Sequence, residues 1–598
     1  MPVPQNSEPQ GESTDFKIDR RSIIAGIGAS SSIGLAGCSG NDEADENLGE
    51  EVPALEVAYW SDLGAMSSLF ESMLPIVKEG YEELGLDVDV RPVEYTTNVG
   101  ELFSDARQSN ITAMFYSTDV SHLDMAEGMN NLLISGAGDS GGYSWGSYAD
   151  CEMSQIGIEQ RSSETEEKRS ELLRQAQQRL SEAAILQPIS PFLELGVRRE
   201  TAADYRSIGE RGLSLGSPRY LKESVATSGT IRLEASPPWI ARMNYLTMSG
   251  TEEIPWNHLV NSPLQEYDEN FELENSLAES INRENEDRRI VVTLRENAEF
   301  QNGDPVTAED VKFTFDTLWE NTGAFRATAP PYESIEVVDD RVAAFNMEVP
   351  FRPISQYFAF YGVLHKKSWS EQGLAEDTDE ADINFIIGSG PFEVTDFDAE
   401  SFMRLEPRDN HPLYTPDHEI EVHAFRDAPT AAEAFRNQEI DVIGRADFGL
   451  VDQLEEEYGD DVSAVVSEGP LPMMLQLEYA WGPTQFRELR VALGMSIDRA
   501  LIQEATLRDS TYAPTHGSFW MRNHPQAIDE DDLWHFTDDP TGDVEGARDL
   551  LENEGYSWDS DGNIHYPESK DLDPRWPEGG TPNPDDYDCL NENGEMTF

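Results

Sequence analysis

Around residues 56–95 the hydrophobic rhythm changes twice. LEVAYW is an apolar, strand-like run. MSSLFESMLPIVKEGYEELG then places Leu69, Met73, Ile76 and Val77 at helical spacing, and Gly85 stops the helix. LDVDVRPVEY returns to strand-like composition. Strand, helix, strand is the grammar of an α/β lobe. The clearest helix is ETEEKRSELLRQAQQRLSEAA, residues 164–184, with acids crowded at its start and arginines later, as the helix dipole favours. GSPRYLKESVATSG, 216–229, is polar and contains Gly and Ser, which predicts a linker. From residue 230 the pattern restarts. TIRLEASPP predicts a strand and turn, RRIVVTLRENAEF two short strands, and TAEDVKFTFDTLW a helix with Thr307 as N-cap and Glu309 and Asp310 in the first turn. Mixed α/β continues to about 565, and the last thirty residues, rich in Pro, Gly and acids, predict a loop or tail.

A chain of 598 residues with 20 Tyr, 25 Phe and 11 Trp can build two or more packed lobes. Its net charge is −74, from 116 acidic residues against 42 basic ones. A disordered acidic chain would lack the aromatics, so the pattern implies a folded protein suited to very high salt. At molar salt the Debye length is about 3 Å and self-repulsion is screened. This charge pattern resembles that of haloarchaeal proteins. No basic face is available, which excludes nucleic acid as a partner. The three cysteines, Cys38, Cys151 and Cys589, form no CxxC or Cys/His metal spacing. HExxH, Walker A and nucleotide-binding GxGxxG strings are missing too, and no cofactor is expected.

GDSGG at 138–142 matches the surroundings of the nucleophilic serine in trypsin-like proteases. A serine needs a histidine and an orienting carboxylate to react. The only histidine before Ser140 is His122, outside any Ala-Ala-His-Cys context. Ser140 is therefore expected in a Gly-rich loop, and the chain is expected not to be an enzyme; a hydrolase built on Ser140 is the weaker alternative.

The N-terminus predicts an address. Arg20 and Arg21 precede a run of small and apolar residues, Ser22 to Gly37, too short and weakly apolar for a membrane span. This resembles a twin-arginine export signal. Leu35-Ala36-Gly37-Cys38 resembles a lipobox, which implies lipidation at Cys38 and anchoring to the outer face of the membrane. Residues 1–38 are then the signal, and 39–52 an acidic tether.

Several strings resemble the family 5 (peptide/nickel-type) extracellular solute-binding proteins of ABC importers. LRENAEFQNGDPVTAEDVKFTFD, 294–316, is the most specific, with LAES, 277–280, before it. GSGPFEV (388–394), FRNQEIDVIG (435–444), FRELRVALGMSIDRALI (486–502) and GARDLLENEGYSWDSDGNI (546–564) follow in the family's order. The pieces that come next in the family lie instead at the front: LGLDVDV (84–90), MFYSTDVSHLD (114–124) and EEKRSELLRQAQQRLSEAAILQPISP (166–191). The chain therefore looks circularly permuted, joined through 216–229. Ends of compact domains lie at the surface and are often close, so such a join is physically cheap.

The resemblance implies an α/β, two-lobed, type II periplasmic-binding-protein-like fold with mixed sheets and a hinge. It puts 53–118 and 482–598 in lobe two, 119–481 in lobe one, and the crossings near 117–120 and 480–484. It also implies a receptor that closes around a peptide or similar small solute and presents it to ABC permease subunits. In peptide-binding members an aspartate pairs with the ligand's α-amino group; the matching position is Asp119, where Phe115 and Val120 replace the family's Trp and Tyr. The aromatics Tyr143, Trp145 and Tyr148, with Phe519 and Trp520, are expected to line the cleft from opposite lobes, which would also suit an oligosaccharide.

Overall fold

The computed structural model describes residues 48–597 apart from 64, 103–106, 116–122, 139–143, 164, 202, 205–217, 224, 227–228, 236–239, 241–253, 269–270, 322–331, 373–386, 399–400 and 507–511. The early strand–helix–strand pattern folds as its rhythm dictates. Leu55–Trp60 and Val88–Val93 are parallel neighbours, and the helix Ala65–Glu83 makes the crossover. Gly85 follows that helix at φ 92°, and a Cβ there would meet the Gly562 carbonyl oxygen at 2.4 Å. Both the backbone angle and the close approach demand glycine. Ile111–Phe115 is parallel to Leu55–Trp60 on the other side. The helix Glu166–Ala183 is capped by Thr165, whose side chain accepts from the Lys168 N–H at 3.2 Å.

Two long antiparallel strands, Leu186–Arg199 and Val462–Leu477, form a ribbon through the middle of a ten-stranded mixed sheet. One end of the ribbon carries Ile111–Phe115 and its parallel neighbours. The other carries the parallel strands Val442–Ile443, Thr230–Ala235 and Glu419–Ala424, continued by the antiparallel Phe402–Pro407 and Phe392–Asp398. A separate four-stranded antiparallel sheet pairs Ala278–Glu284, Arg289–Leu294, Val342–Met347 and Tyr332–Asp339 in that order. The helix Ala308–Asn321 packs on this sheet. At its start the Asp310 carboxylate accepts from both the N–H and the hydroxyl of Thr307, one arm of a capping box.

Apolar side chains gather mainly in two cores. The first joins Val57, Phe70, Phe115, Leu172, Leu180, Leu475, Leu493, Leu551 and Ile564. The second joins Ile231, Ile290, Phe315, Phe345, Leu405 and Val422. The packing groups residues 123–192 with the first core, where the sequence pattern had put them with 230–481. It also places the crossings away from 117–120 and 480–484. Phe192 and Leu471 belong to the first core, whereas Leu195 and Val462 pack with Phe435 and Leu454 beside the second. The reason is the ribbon itself: its two strands pass between the cores midway, where their register shifts between Glu468 and Pro472, not at their entry points.

The segment 216–229 is more than a linker. Its described part includes the helix Pro218–Glu223, with Tyr220 and Leu221 buried in the second core and the Lys222 ammonium 2.8 Å from the buried Glu266 carboxylate. The C-terminal thirty residues have the irregular backbone expected of them, yet they are fastened. Arg575 donates to the Tyr479 carbonyl at 2.9 Å, Arg107 to the Trp576 carbonyl at 2.7 Å, and Cys151 is disulfide-bonded to Cys589 across 438 residues of sequence. Cross-linking so long a segment restricts the unfolded chain strongly, so the Cys151→Ser/Cys589→Ser variant should lose about 2–4 kcal/mol of stability. Urea melts of this variant beside the oxidised wild type check it; equal midpoints would show that the bridge restrains nothing.

Candidate functional site

The register of the ribbon fixes where a crevice must lie. Ile111–Phe115 runs antiparallel to Val462–Leu477, with Ile111 opposite Leu477 and Phe115 opposite Met473. Its carboxyl end therefore points at the ribbon's middle. Val442–Ile443 runs antiparallel to the other half, with Val442 opposite Arg198 and Ile443 opposite Val197. Its carboxyl end points at the same middle from the other core, and the parallel strands Thr230–Ala235 and Glu419–Ala424 follow it. In open α/β sheets the crevice outside the carboxyl ends of the strands receives ligands. Here two sets of such ends face each other across the ribbon segments 191–195 and 466–472.

On the first core's side Phe115 stacks on Phe192 of the ribbon, ring centroids 5.1 Å apart and planes at 11°. The stretch 116–122 that leaves Phe115 carries Asp119. It returns at Asp124, which caps the helix Met125–Asn130 by accepting from the Ala126 N–H at 2.8 Å and is ion-paired with Arg169. Arg169 also donates to Gln160 at 3.1 Å, and Asp124 raises its pKa against the burial that lowers it. Tyr267, on the short strand Gln265–Tyr267 that follows Leu264 of the second core, lies close enough to Asp124 and Arg169 to feel both charges, and burial pushes its phenol above the ordinary range.

On the second core's side Glu234 sits one residue before the end of Thr230–Ala235. It accepts from the Gly444 N–H at 3.2 Å and lies beside Arg445, both just past the neighbouring strand. Burial raises the Glu234 pKa, while the Arg445 charge and the backbone N–H groups oppose the rise. On the ribbon, Glu468 accepts a fork from Arg522 at 3.0 and 2.8 Å and a bond from Asn523 at 3.1 Å. The Arg522 guanidinium lies 4.0 Å from the Tyr512 ring centre, and the Tyr512 hydroxyl binds Glu530. Glu234 and Arg445 thus put charges of both signs at the strand ends, and Glu468 and Arg522 do so at the ribbon's middle. Among the described residues no group of three or more His, Cys, Asp or Glu is placed to hold a metal ion, and no helix is long and apolar enough to cross a membrane.

Of the residues singled out from the sequence, Asp119, Tyr143 and Ser140 lie outside the described residues, as do Arg20, Arg21 and Cys38. Trp145, Phe519 and Trp520 are described, and they meet. The Trp145 and Phe519 rings are 4.4 Å apart, and those of Phe519 and Trp520 5.5 Å. All three belong to the first core, at 0%, 2% and 2% exposure. The expectation that they face each other from opposite lobes is corrected by this packing. A Cβ on Gly128 would come within 3.5 Å of all three rings, so that helix position seals the cluster. Tyr148 is buried nearby, edge-on to Tyr479 at 5.2 Å. Glu234, Arg445, Glu468 and Arg522 were not singled out; the one local signal was the acid Glu234 next to last in TIRLEA, three residues before the Pro237-Pro238 pair.

Residues 272–584 match the family model described as bacterial extracellular solute-binding proteins, family 5 Middle. The chain belongs to this family. The family 5 match spans the four-stranded sheet, the second ribbon strand and the helices around Leu493 and Leu551; the strands from 55 to 115 and the ribbon strand Leu186–Arg199 lie outside it. The chain is 26% identical over 231 residues to the probable D,D-dipeptide-binding periplasmic protein DdpA of Escherichia coli (strain K12), covering 38% of this chain and 44% of that protein. It is 23% identical over 294 residues to the dipeptide-binding protein DppE of Bacillus subtilis (strain 168), covering 45% and 52%. The chain thus spans about half the length of these curated relatives. Among solved structures it resembles the oligopeptide-binding protein AppA of Bacillus subtilis in complex with a nonapeptide, at 19% identity and a TM-score of 0.44 over 57% of this chain and 67% of that one. NikZ of Campylobacter jejuni in complex with Ni(L-His) matches at 18% identity and a TM-score of 0.45, over 56% and 65%.

Proposed function

We propose that this family 5 protein captures a small polar solute, a peptide or similar molecule, between its two cores and delivers it to the permease of an ABC importer. The observation that carries the reading is the convergence of the carboxyl ends of both strand sets on the middle of the ribbon. Two cores joined by two strands can close by bending them, which is how such receptors enclose ligands. Asp119 is the proposed partner of a solute ammonium, because its segment follows Phe115, which stacks on Phe192 of the ribbon, and precedes Asp124, whose charge reaches Tyr267. Glu234 and Arg445 supply polar contacts from the other side. The reaction involves no bond chemistry, and the dipeptide-binding relatives favour a peptide-like solute over a sugar. Burial of Trp145, Phe519 and Trp520 removes the aromatic wall that a sugar would use.

The finer parts of this reading rest on sequence. Arg20, Arg21 and the lipobox-like string support twin-arginine export and lipid attachment at Cys38. The order of the family-like strings, together with a first core built from residues 52–192 and 471–566, supports a circular permutation joined through 216–229. A chain cut between 215 and 230 and rejoined from 597 to 53 should then fold to the same near-ultraviolet circular dichroism; a molten product argues against permutation. The net charge of −74 supports life in high salt. Self-repulsion grows as salt is withdrawn, so the melting temperature should fall steeply below molar concentrations, and a salt-independent melt would refute the halophilic reading. One experiment tests capture and anchoring together: mass spectrometry of the protein recovered from membranes. A copurified peptide-sized solute and a mature chain starting at lipidated Cys38 are expected. Ligand-free protein that binds nothing from a peptide panel in calorimetry would sink the receptor reading.

A further inference from the structure

Among the described residues the chain passes between the two cores along the ribbon, and a second set of contacts also joins them. The helix Cys151–Arg161 belongs to the first core. Like any helix it ends in carbonyl groups without helical partners and with a partial negative charge. Arg352 of the second core answers both needs. Its backbone N–H donates to the Arg161 carbonyl at 2.8 Å, and its Nε donates to the Ser163 carbonyl at 2.9 Å. Arg352 lies between the strand Val342–Met347 and the helix Ile354–Phe360, next to the buried Phe351.

The arginine is held from behind. Asp287 lies 3.5 Å from the Arg352 guanidinium and 3.8 Å from that of Arg283, and Arg283 donates to the Arg352 carbonyl at 3.0 Å. Asp287 ends a run of three non-glycine residues, Asn285, Glu286 and Asp287, at φ 52°, 56° and 62°. Such left-handed angles are costly outside glycine and persist where surrounding structure holds them. Here the turn between Ala278–Glu284 and Arg289–Leu294 brings one carboxylate, 14% exposed, between two arginines. Arg283 also feels Glu166 and Arg169 of the first core. Arg169 in turn holds Asp124, where the segment carrying Asp119 ends.

We propose that Arg352 is a latch: it docks the second core on the carboxyl end of Cys151–Arg161 before any solute arrives, and so raises solute affinity without touching the solute. The affinity part rests on the receptor reading above; the latch itself does not. A solute that binds only the closed pairing is weakened in proportion to the fraction of molecules that are closed. Arg352 is thus a positioning residue, and Asp287 and Arg283 orient it.

The test uses the full, solute-free chain. In Arg352→Ala the backbone amide of residue 352 should exchange hydrogen at least tenfold faster, while amides of Val342–Met347 keep their wild-type protection. X-ray scattering should show a larger radius of gyration. Arg352→Lys, which keeps a donor but not the fork, should fall between. If a binding solute is in hand, its affinity should drop about tenfold in Arg352→Ala. Unchanged exchange and scattering in a folded Arg352→Ala variant would overturn the latch. Should that variant fail to fold, the wild type decides: an Arg352 amide that exchanges as fast as an unstructured peptide, beside protected strand amides, means that no latch exists. Because these readouts need no solute, a failed latch and a failed receptor assignment give different results.

Discussion

Trp145→Ala should lower the stability of the protein by about 3–5 kcal/mol, the cost of emptying a tryptophan-sized core site. Trp145 is fully buried, its ring contacts Phe519, and Phe519 contacts Trp520, so two segments distant in sequence meet on one side chain. The surroundings leave little room to collapse into the gap. Trp145 begins a single turn whose next residue, Gly146, sits at φ 56°, with its Cα too close to the Leu477 carbonyl for any side chain. The backbone on either side is therefore pinned. Denaturation in urea at fixed salt measures the effect, and Trp145→Phe should recover a good part of it. A loss below about 1 kcal/mol would mean that the ring is not part of the core, since buried large-to-small changes cost more. If Trp145 lined the cleft instead, the same variant would change solute affinity and leave the unfolding midpoint alone.

Asp119→Ala should cost about 2–5 kcal/mol of binding free energy for a solute that carries an ammonium, because a desolvated cation loses its charged partner. That is a fall of roughly thirtyfold or more in affinity. Calorimetry with short peptides bearing a free amino terminus reads it directly. N-acetylated versions of the same peptides supply the comparison. They should bind the wild type weakly and lose nothing further in the variant. Free and acetylated peptides that both keep their affinity for Asp119→Ala would remove this residue from the site and turn attention to Glu234, on the opposite side of the crevice. Unfolding midpoints of wild type and variant should agree within about 0.5 kcal/mol, the usual limit for a change that removes no packing.

The elements that rest on local rhythm were legible. LEVAYW, the helix after it and Gly85 follow from spacing and from a backbone angle that only glycine adopts easily. Thr307 before Glu309 and Asp310 announced a helix start. The pairing of distant segments was not legible. Nothing near Ile111–Phe115 says that Met473–Leu477 is its neighbour, and nothing in QPISPFLELGVRR says that one strand crosses between two cores. The family-like strings placed the crossings by motif order, and motif order marks neighbourhoods rather than the point where side chains change cores. Aromatic residues posed a related difficulty. A tryptophan serves a binding wall or a core equally well by composition, and the close approach of Gly128 and Gly146 decided in favour of the core. Glu234 was hidden for another reason: among 116 acids, one more at a strand end carries no signal until the sheet shows where that end points.

The first core is assembled from both ends of the described chain, whereas the second is drawn from the contiguous stretch 220–442. On the ribosome the second core has all its parts long before the first, in which Ile111–Phe115 keeps one edge open until Leu477 has emerged and the helices near Leu551 come later still. Contacts so distant in sequence form slowly, and unpaired strand edges invite aggregation while they wait. Synthesis should therefore yield a half-finished intermediate in which residues 55–115 depend on chaperones or on the chain's own charge to remain soluble. The net charge of −74, beyond its value in salt, should help keep that unfinished chain soluble while its last hundred residues are made.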